Sequence, residues 1–133
     1  MNNIPDYGGL IRVFSLVKFM RREGWSETYR ALIDTGAHTS VIPKYIWRSS
    51  EHKIMGAYEV HGLVPNEECK MDVKIGTLRV VLLDENGNQT EEEITAFFAE
   101  RDDIPLILGF KDLLENYELN IMPKDETGFL SKL

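Results

Sequence analysis

Cysteine is almost missing from this chain: Cys69 stands alone among 133 residues. One thiol cannot form an intrachain disulfide, and no thiolate cluster can hold a metal, a composition that suits a reducing compartment. Positive charge is also scarce, with 15 Lys and Arg against 22 Asp and Glu, a net charge of −7. Nucleic-acid binders need a basic patch to meet phosphates, so that class is set aside. Acidity steers basic ligands and also keeps a protein soluble, and the second role suffices here. Long apolar runs are absent too. Stretches such as residues 96–99 fall far short of the roughly 20 residues that span a bilayer as a helix. Residues 1–9 lack the basic-then-apolar order of a secretion signal, so the expected location is cytoplasmic. There is no repeat, linker or low-complexity tract. A 43% apolar and 28% charged composition fits one globular domain with its own core.

What is present reads mainly as strands. Residues 1–9 form a polar leader ending in Gly8-Gly9, expected to be loose, and residues 10–123 form the folded domain. Val13, Phe14, Leu16, Val17 and Phe19 among polar neighbours make 10–20 a strand, and 21–24 a hairpin turn. A second strand over 25–33 follows; Pro43 then opens a short helix over 44–48. Strands are expected at 57–62, 69–75, 78–83 and 94–98, with turns at 63–68 and 84–88. The acidic triplet 91–93 reads as a solvated strand end. Leu113, Leu114 and Tyr117 are spaced to cover one face of a helix over 110–116, and 117–121 alternates as a late strand. Residues 124–133 are a C-terminal extension in which Phe129-Leu130 makes a final strand or cap. The fold class is all-β: a closed, mostly antiparallel barrel with one short C-terminal helix.

One segment carries chemistry, Arg30-Ala-Leu-Ile-Asp-Thr-Gly-Ala-His-Thr-Ser-Val-Ile-Pro43. A strand-like apolar run there meets a tight turn at Asp34-Thr35-Gly36. Carboxylates are rarely set beside a core unless paired or used. Gly36 allows a close backbone approach, and the Thr35 hydroxyl can bind a neighbouring backbone. An acid at such a turn can orient and deprotonate water, but alone it cannot also protonate a leaving amine. Two facing carboxylates can do both, because like charges at close range share one proton, as aspartic protease dyads are known to do. A chain with one such motif supplies the pair as a twofold homodimer.

These residues, followed roughly seventy positions later by Leu106-Ile-Leu-Gly109 and a short helix, resemble the retropepsin-like aspartic proteases, the single-domain dimeric relatives of pepsin. The resemblance runs from Val13 to Ile121. It implies a homodimeric endopeptidase that hydrolyses peptide bonds, with no cofactor, in which Asp34 is the catalytic acid. Thr35 would lock the two active-site loops across the dimer, and Gly36 would offer its carbonyl to the peptide. Ile33, Ala37, Val41 and Ile107 would line side-chain pockets, and Gly109 would let the later loop pack beneath the first. The hairpin around Val60, His61, Gly62 and Leu63 falls where the family has its flap, a lid that closes over substrate.

Two departures stand out. Where viral members often carry an acid and an arginine in an interface ion-pair network, this chain has His38 and Phe110. Its dimer is then expected to be held by apolar contacts and terminal strands. The flap tip also has Val64-Pro65 in place of a glycine-rich stretch. These departures motivate an alternative: a catalytically weak or inactive protease-fold module for dimerisation or peptide binding.

Plainer readings exist for each residue. Asp-Thr-Gly is also an ordinary turn composition. A phosphoaspartate enzyme would need further acids for magnesium after a parallel strand, which the surrounding pattern does not provide. His38, His52 and His61 have no i,i+4 pair, so surface or flap positions are expected and no metal site. Trp25 and Trp47 read as core or interface packing, and Cys69 as a bystander.

Overall fold

The computed structural model describes residues 2–4, 10–34, 36–61, 70–83, 88–122 and 127–132. In chain order its strands are β1 (Asn2–Ile4), β2 (Leu10–Arg21), β3 (Gly24–Trp25), β4 (Tyr29–Ile33) and β5 (Ser40–Ile42). Helix α1 (Lys44–Trp47) precedes β6 (His52–His61), β7 (Lys70–Leu83), β8 (Gln89–Ala99) and β9 (Ile107–Leu108). β10 (Tyr117–Met122) and β11 (Thr127–Lys132) form a separate antiparallel hairpin.

β2 pairs with β4, β4 with β9, β9 with β5, β5 with β8, β8 with β7, and β7 returns to β2. That ring is a closed barrel, with β6 paired outside it to β7 alone among the described strands. Within the ring only β4–β9 and β5–β8 run parallel, so the barrel is mostly antiparallel. Period-2 patterning fills it: Val13, Val17 and Phe19 of β2 and Ile94, Ala96 and Phe98 of β8 turn inward. Trp47 of α1 closes one side, stacked on Phe98 with ring centroids 5.3 Å apart and its indole N–H donating to the Ala99 carbonyl at 2.7 Å.

Several elements differ from the pattern in the sequence. The strands expected at 69–75 and 78–83 are one strand, β7. Gly76 between them marks crowding, not a turn: a Cβ there would lie 2.3 Å from the Lys53 carbonyl oxygen and 2.6 Å from the Phe98 ring. A bulge between Ile54 and Gly56 on β6 sits opposite this point. Residues 25–33 do not run as one strand, because Ser26 breaks the ladder. Its hydroxyl accepts from the Phe19 N–H at 2.9 Å and donates to the Glu27 carbonyl at 2.7 Å. Trp25 is partly exposed on the two-residue β3, not core. The acidic triplet lies within β8; Glu91 and Glu93 face solvent, and Glu91 accepts from Arg79 Nε at 2.8 Å across the strands.

The short C-terminal helix is smaller than 110–116: one 3-10 turn, Leu114–Asn116. Asp112 takes a left-handed φ of 62°, which ends any α-helical run. Its carboxylate accepts from the Thr95 N–H at 3.0 Å, tying the turn to β8. Leu113 and Leu114 are buried, as their spacing required. Asn2–Ile4, in the segment expected to be loose, pairs with residues 10–12, and the final strand expected around Phe129 is β11. The turn expected at 84–88 lies, but for Asn88, outside the described residues, as does Cys69.

Candidate active site

Burial of Ala31 and Ile33 sets the phase of β4, so Asp34, one residue past its end, falls on the other face and is half-buried. The backbone beneath it is pinned by the later apolar run. The Leu32 N–H donates to the Leu106 carbonyl at 2.8 Å, and the Asp34 N–H to the Leu108 carbonyl at 3.0 Å. β9 also pairs with β5 at Ile107 and Val41, so residues 106–109 are clasped between the two arms of the 34–40 turn.

The clasp continues past β9. The Phe110 N–H donates to the Ala37 carbonyl at 2.8 Å and the Lys111 N–H to the His38 carbonyl at 2.7 Å. Gly109 donates its N–H to the Ser40 hydroxyl at 2.8 Å. A Cβ on Gly109 would lie 2.6 Å from the Thr39 carbonyl carbon and 2.8 Å from the Ser40 nitrogen, so only glycine fits. Ser40 escaped the sequence reading. The signal was a small hydroxyl inside the apolar run Ser40-Val-Ile42, and it is fully buried.

The carboxylate is oriented by its own turn. Gly36 donates its N–H to Asp34 Oδ1 at 2.9 Å, and the Ala37 N–H donates to the Asp34 carbonyl at 3.1 Å. Asp34 Oδ2 takes no hydrogen bond among the described residues, and no second acid or base pairs with the carboxylate there. The chain thus presents one held acid whose second oxygen has no partner among the described residues, able to accept a proton from water.

The other residues singled out by the sequence divide into groups. Ala37 and Ile107 are half-exposed; the Ala37 N–H is bonded to the Asp34 carbonyl, and Ile107 lies opposite Leu32 and Val41. Ile33 and Val41 are only 8% and 3% exposed; Val41 packs with Val73, Ala99 and Ile104 inside the chain. Val60 and His61 lie at the far end of β6, opposite Met71 and Lys70. β8 stops at the Val73–Ala99 pair, so this end of the β6–β7 hairpin runs past β8 as a two-stranded ribbon. Thr35, Gly62, Leu63 and Val64-Pro65 lie outside the described residues.

His38 and Phe110 flank the clasp, both exposed. His38 Nδ1 is 3.0 Å from the Thr39 hydroxyl. His52 is elsewhere, edge-on to Trp47 and Phe98 with Nδ1 2.7 Å from the Ser50 carbonyl oxygen. Among the described residues no group of three or more His, Cys, Asp and Glu side chains could hold a metal ion.

No protein-family model matches this sequence, and no curated protein matches it. Among solved structures the chain is similar to the EIAV protease complexed with the inhibitor HBY-793, with 22% identity and a TM-score of 0.47. The likeness covers 78% of this chain and 86% of that chain.

Proposed function

We propose that this chain is one half of a homodimeric aspartic endopeptidase whose two Asp34 carboxylates share a proton across a twofold axis. The carrying observation is the Asp34 carboxylate itself. It sits on a backbone pinned by two loops, with Oδ1 fixed by Gly36 and Oδ2 free among the described residues. The Asp-Thr-Gly signature and the closed barrel support the same reading.

In this mechanism a water sits between Asp34 and its twin. The ionised carboxylate takes a proton from the water as its oxygen attacks the scissile carbonyl carbon. The protonated carboxylate donates to the developing oxyanion, and a proton then passes to the departing amine. Substrate lies extended, pairing with backbone around Gly36 and beneath the β6–β7 ribbon, with half-exposed Ala37 and Ile107 contacting apolar side chains. Thr35 locks the paired loops, and residues 60–63 act as the lid.

A peptide-library digest with wild type beside Asp34→Asn tests the proposal. Cleavage by the wild type alone supports it, and identical product profiles from both refute it. A statine-type transition-state mimic separates enzyme from inert module. A working dyad binds it far more tightly than the matching peptide, and equal affinity supports the module.

A further inference from the structure

We infer that Phe110 is the apolar anchor through which two copies of this chain meet beside their active-site loops. The inference rests on the dimeric reading above and names the contact that holds the dimer. Phe110 is 47% exposed, a large apolar side chain carried on a tightly bonded turn. Its backbone is fully engaged: the N–H donates to the Ala37 carbonyl, and the carbonyl accepts from the Glu115 N–H at 2.9 Å. The Lys111 N–H and Gly109 N–H are bound on either side, to His38 and Ser40. The ring is therefore presented outward on a rigid platform, so little conformational entropy is lost when a partner covers it.

The neutral ground around Phe110 suits a second copy as the partner. Each chain carries −7, so two copies repel unless they meet where charge is sparse. Residues 36–38 and 109–110 carry no Asp, Glu, Lys or Arg, and Gly36, His38 and Phe110 are exposed. This neutral strip adjoins Asp34, whose carboxylate must come within reach of its twin. Bringing the two acids together necessarily brings the two strips close, and a large rigid aromatic there is the residue type that dominates interface energies.

Sedimentation of wild type, Phe110→Ala, Phe110→Lys and Asp34→Asn, each with a melting curve, tests the contact. Wild type and Asp34→Asn should dimerise equally. Phe110→Ala should raise the dissociation constant by at least ~30-fold, since each dimer loses two anchors. Phe110→Lys, which suits an exposed site, should do the same while staying folded, even if the alanine variant melts early. A folded Phe110→Lys that dimerises like wild type overturns the inference, and so does a monomeric wild type. A raised KM with unchanged dimerisation also overturns it, placing Phe110 on the substrate instead. Hydrolysis is read separately. A Phe110-dependent dimer that cleaves nothing leaves the contact standing and removes the endopeptidase. Activity that ignores Phe110→Ala at every enzyme concentration removes the contact and keeps the endopeptidase.

Discussion

Gly109 and Ser40 lock the two loops of the candidate site together: the glycine N–H donates to the serine hydroxyl at 2.8 Å while its Cα lies against the Thr39–Ser40 peptide. The close approach and the hydrogen bond depend on each other. Without a side chain at 109 the backbones can meet, and meeting brings the donor within reach of the hydroxyl.

Gly109→Ala should destabilise the fold by about 3 kcal/mol or more, because the new methyl meets backbone atoms that cannot yield as a side chain would. Chemical denaturation reads this as a lower midpoint. An unchanged midpoint would show that the loops can separate at no cost.

Ser40→Ala removes the acceptor and leaves a buried N–H without a partner, at a cost of about 1–3 kcal/mol. The midpoint should fall without a change in m-value, since the surface exposed on unfolding is the same. A loss under a few tenths of a kcal/mol would mean that the Gly109 N–H finds another acceptor.

Asp34→Asn should keep the fold and lose the chemistry. An amide oxygen can still accept from the Gly36 N–H, so the melting temperature should barely move. Turnover should fall at least ~10²-fold, the lower range for one general acid/base group. Asp34→Ala should lose turnover and also about 1 kcal/mol of stability, as the Gly36 bond goes. Retained turnover in the asparagine variant contradicts the role assigned to Asp34.

Tyr117 gives a pH test away from the site. Burial pushes its phenol above the usual tyrosine range, and the charge of Glu92 pushes the same way. The protonated phenol is the favoured form in the folded chain. Its stabilising effect is complete below about pH 10, the ordinary unfolded value. It is lost as pH rises from there through the higher folded value. Tyr117→Phe should therefore lose less stability than wild type on the alkaline side in urea denaturation at stepped pH. Parallel curves would show that the phenol contributes nothing.

Much of the fold was legible in local pattern. Alternation around Val13, Val17 and Phe19 and around Ile94 and Phe98 marks strands because a half-buried strand needs a period of two. Pro43 and the burial of Ile46 and Trp47 fit the short helix. The errors have long-range causes. Gly76 reads as a break in isolation, yet it is a point where another strand and the Phe98 ring crowd the backbone. Leu113 and Leu114 have helical spacing, but Asp112 turns left-handed to reach the Thr95 N–H, a partner 17 positions away in sequence.

By itself, the order of residues determined the strand-rich class, the single Asp-Thr-Gly turn and the lack of any cysteine framework. Those follow from composition, from period and from the few residues able to turn a chain tightly. Tertiary structure alone decided that β2 and β7 close the barrel, that Ser40 holds Gly109, and that an exposed Phe110 is tied to Ala37. Each of these joins residues distant along the chain. Such contacts form only when the packed core offsets the entropy of bringing the segments together, which no local window records.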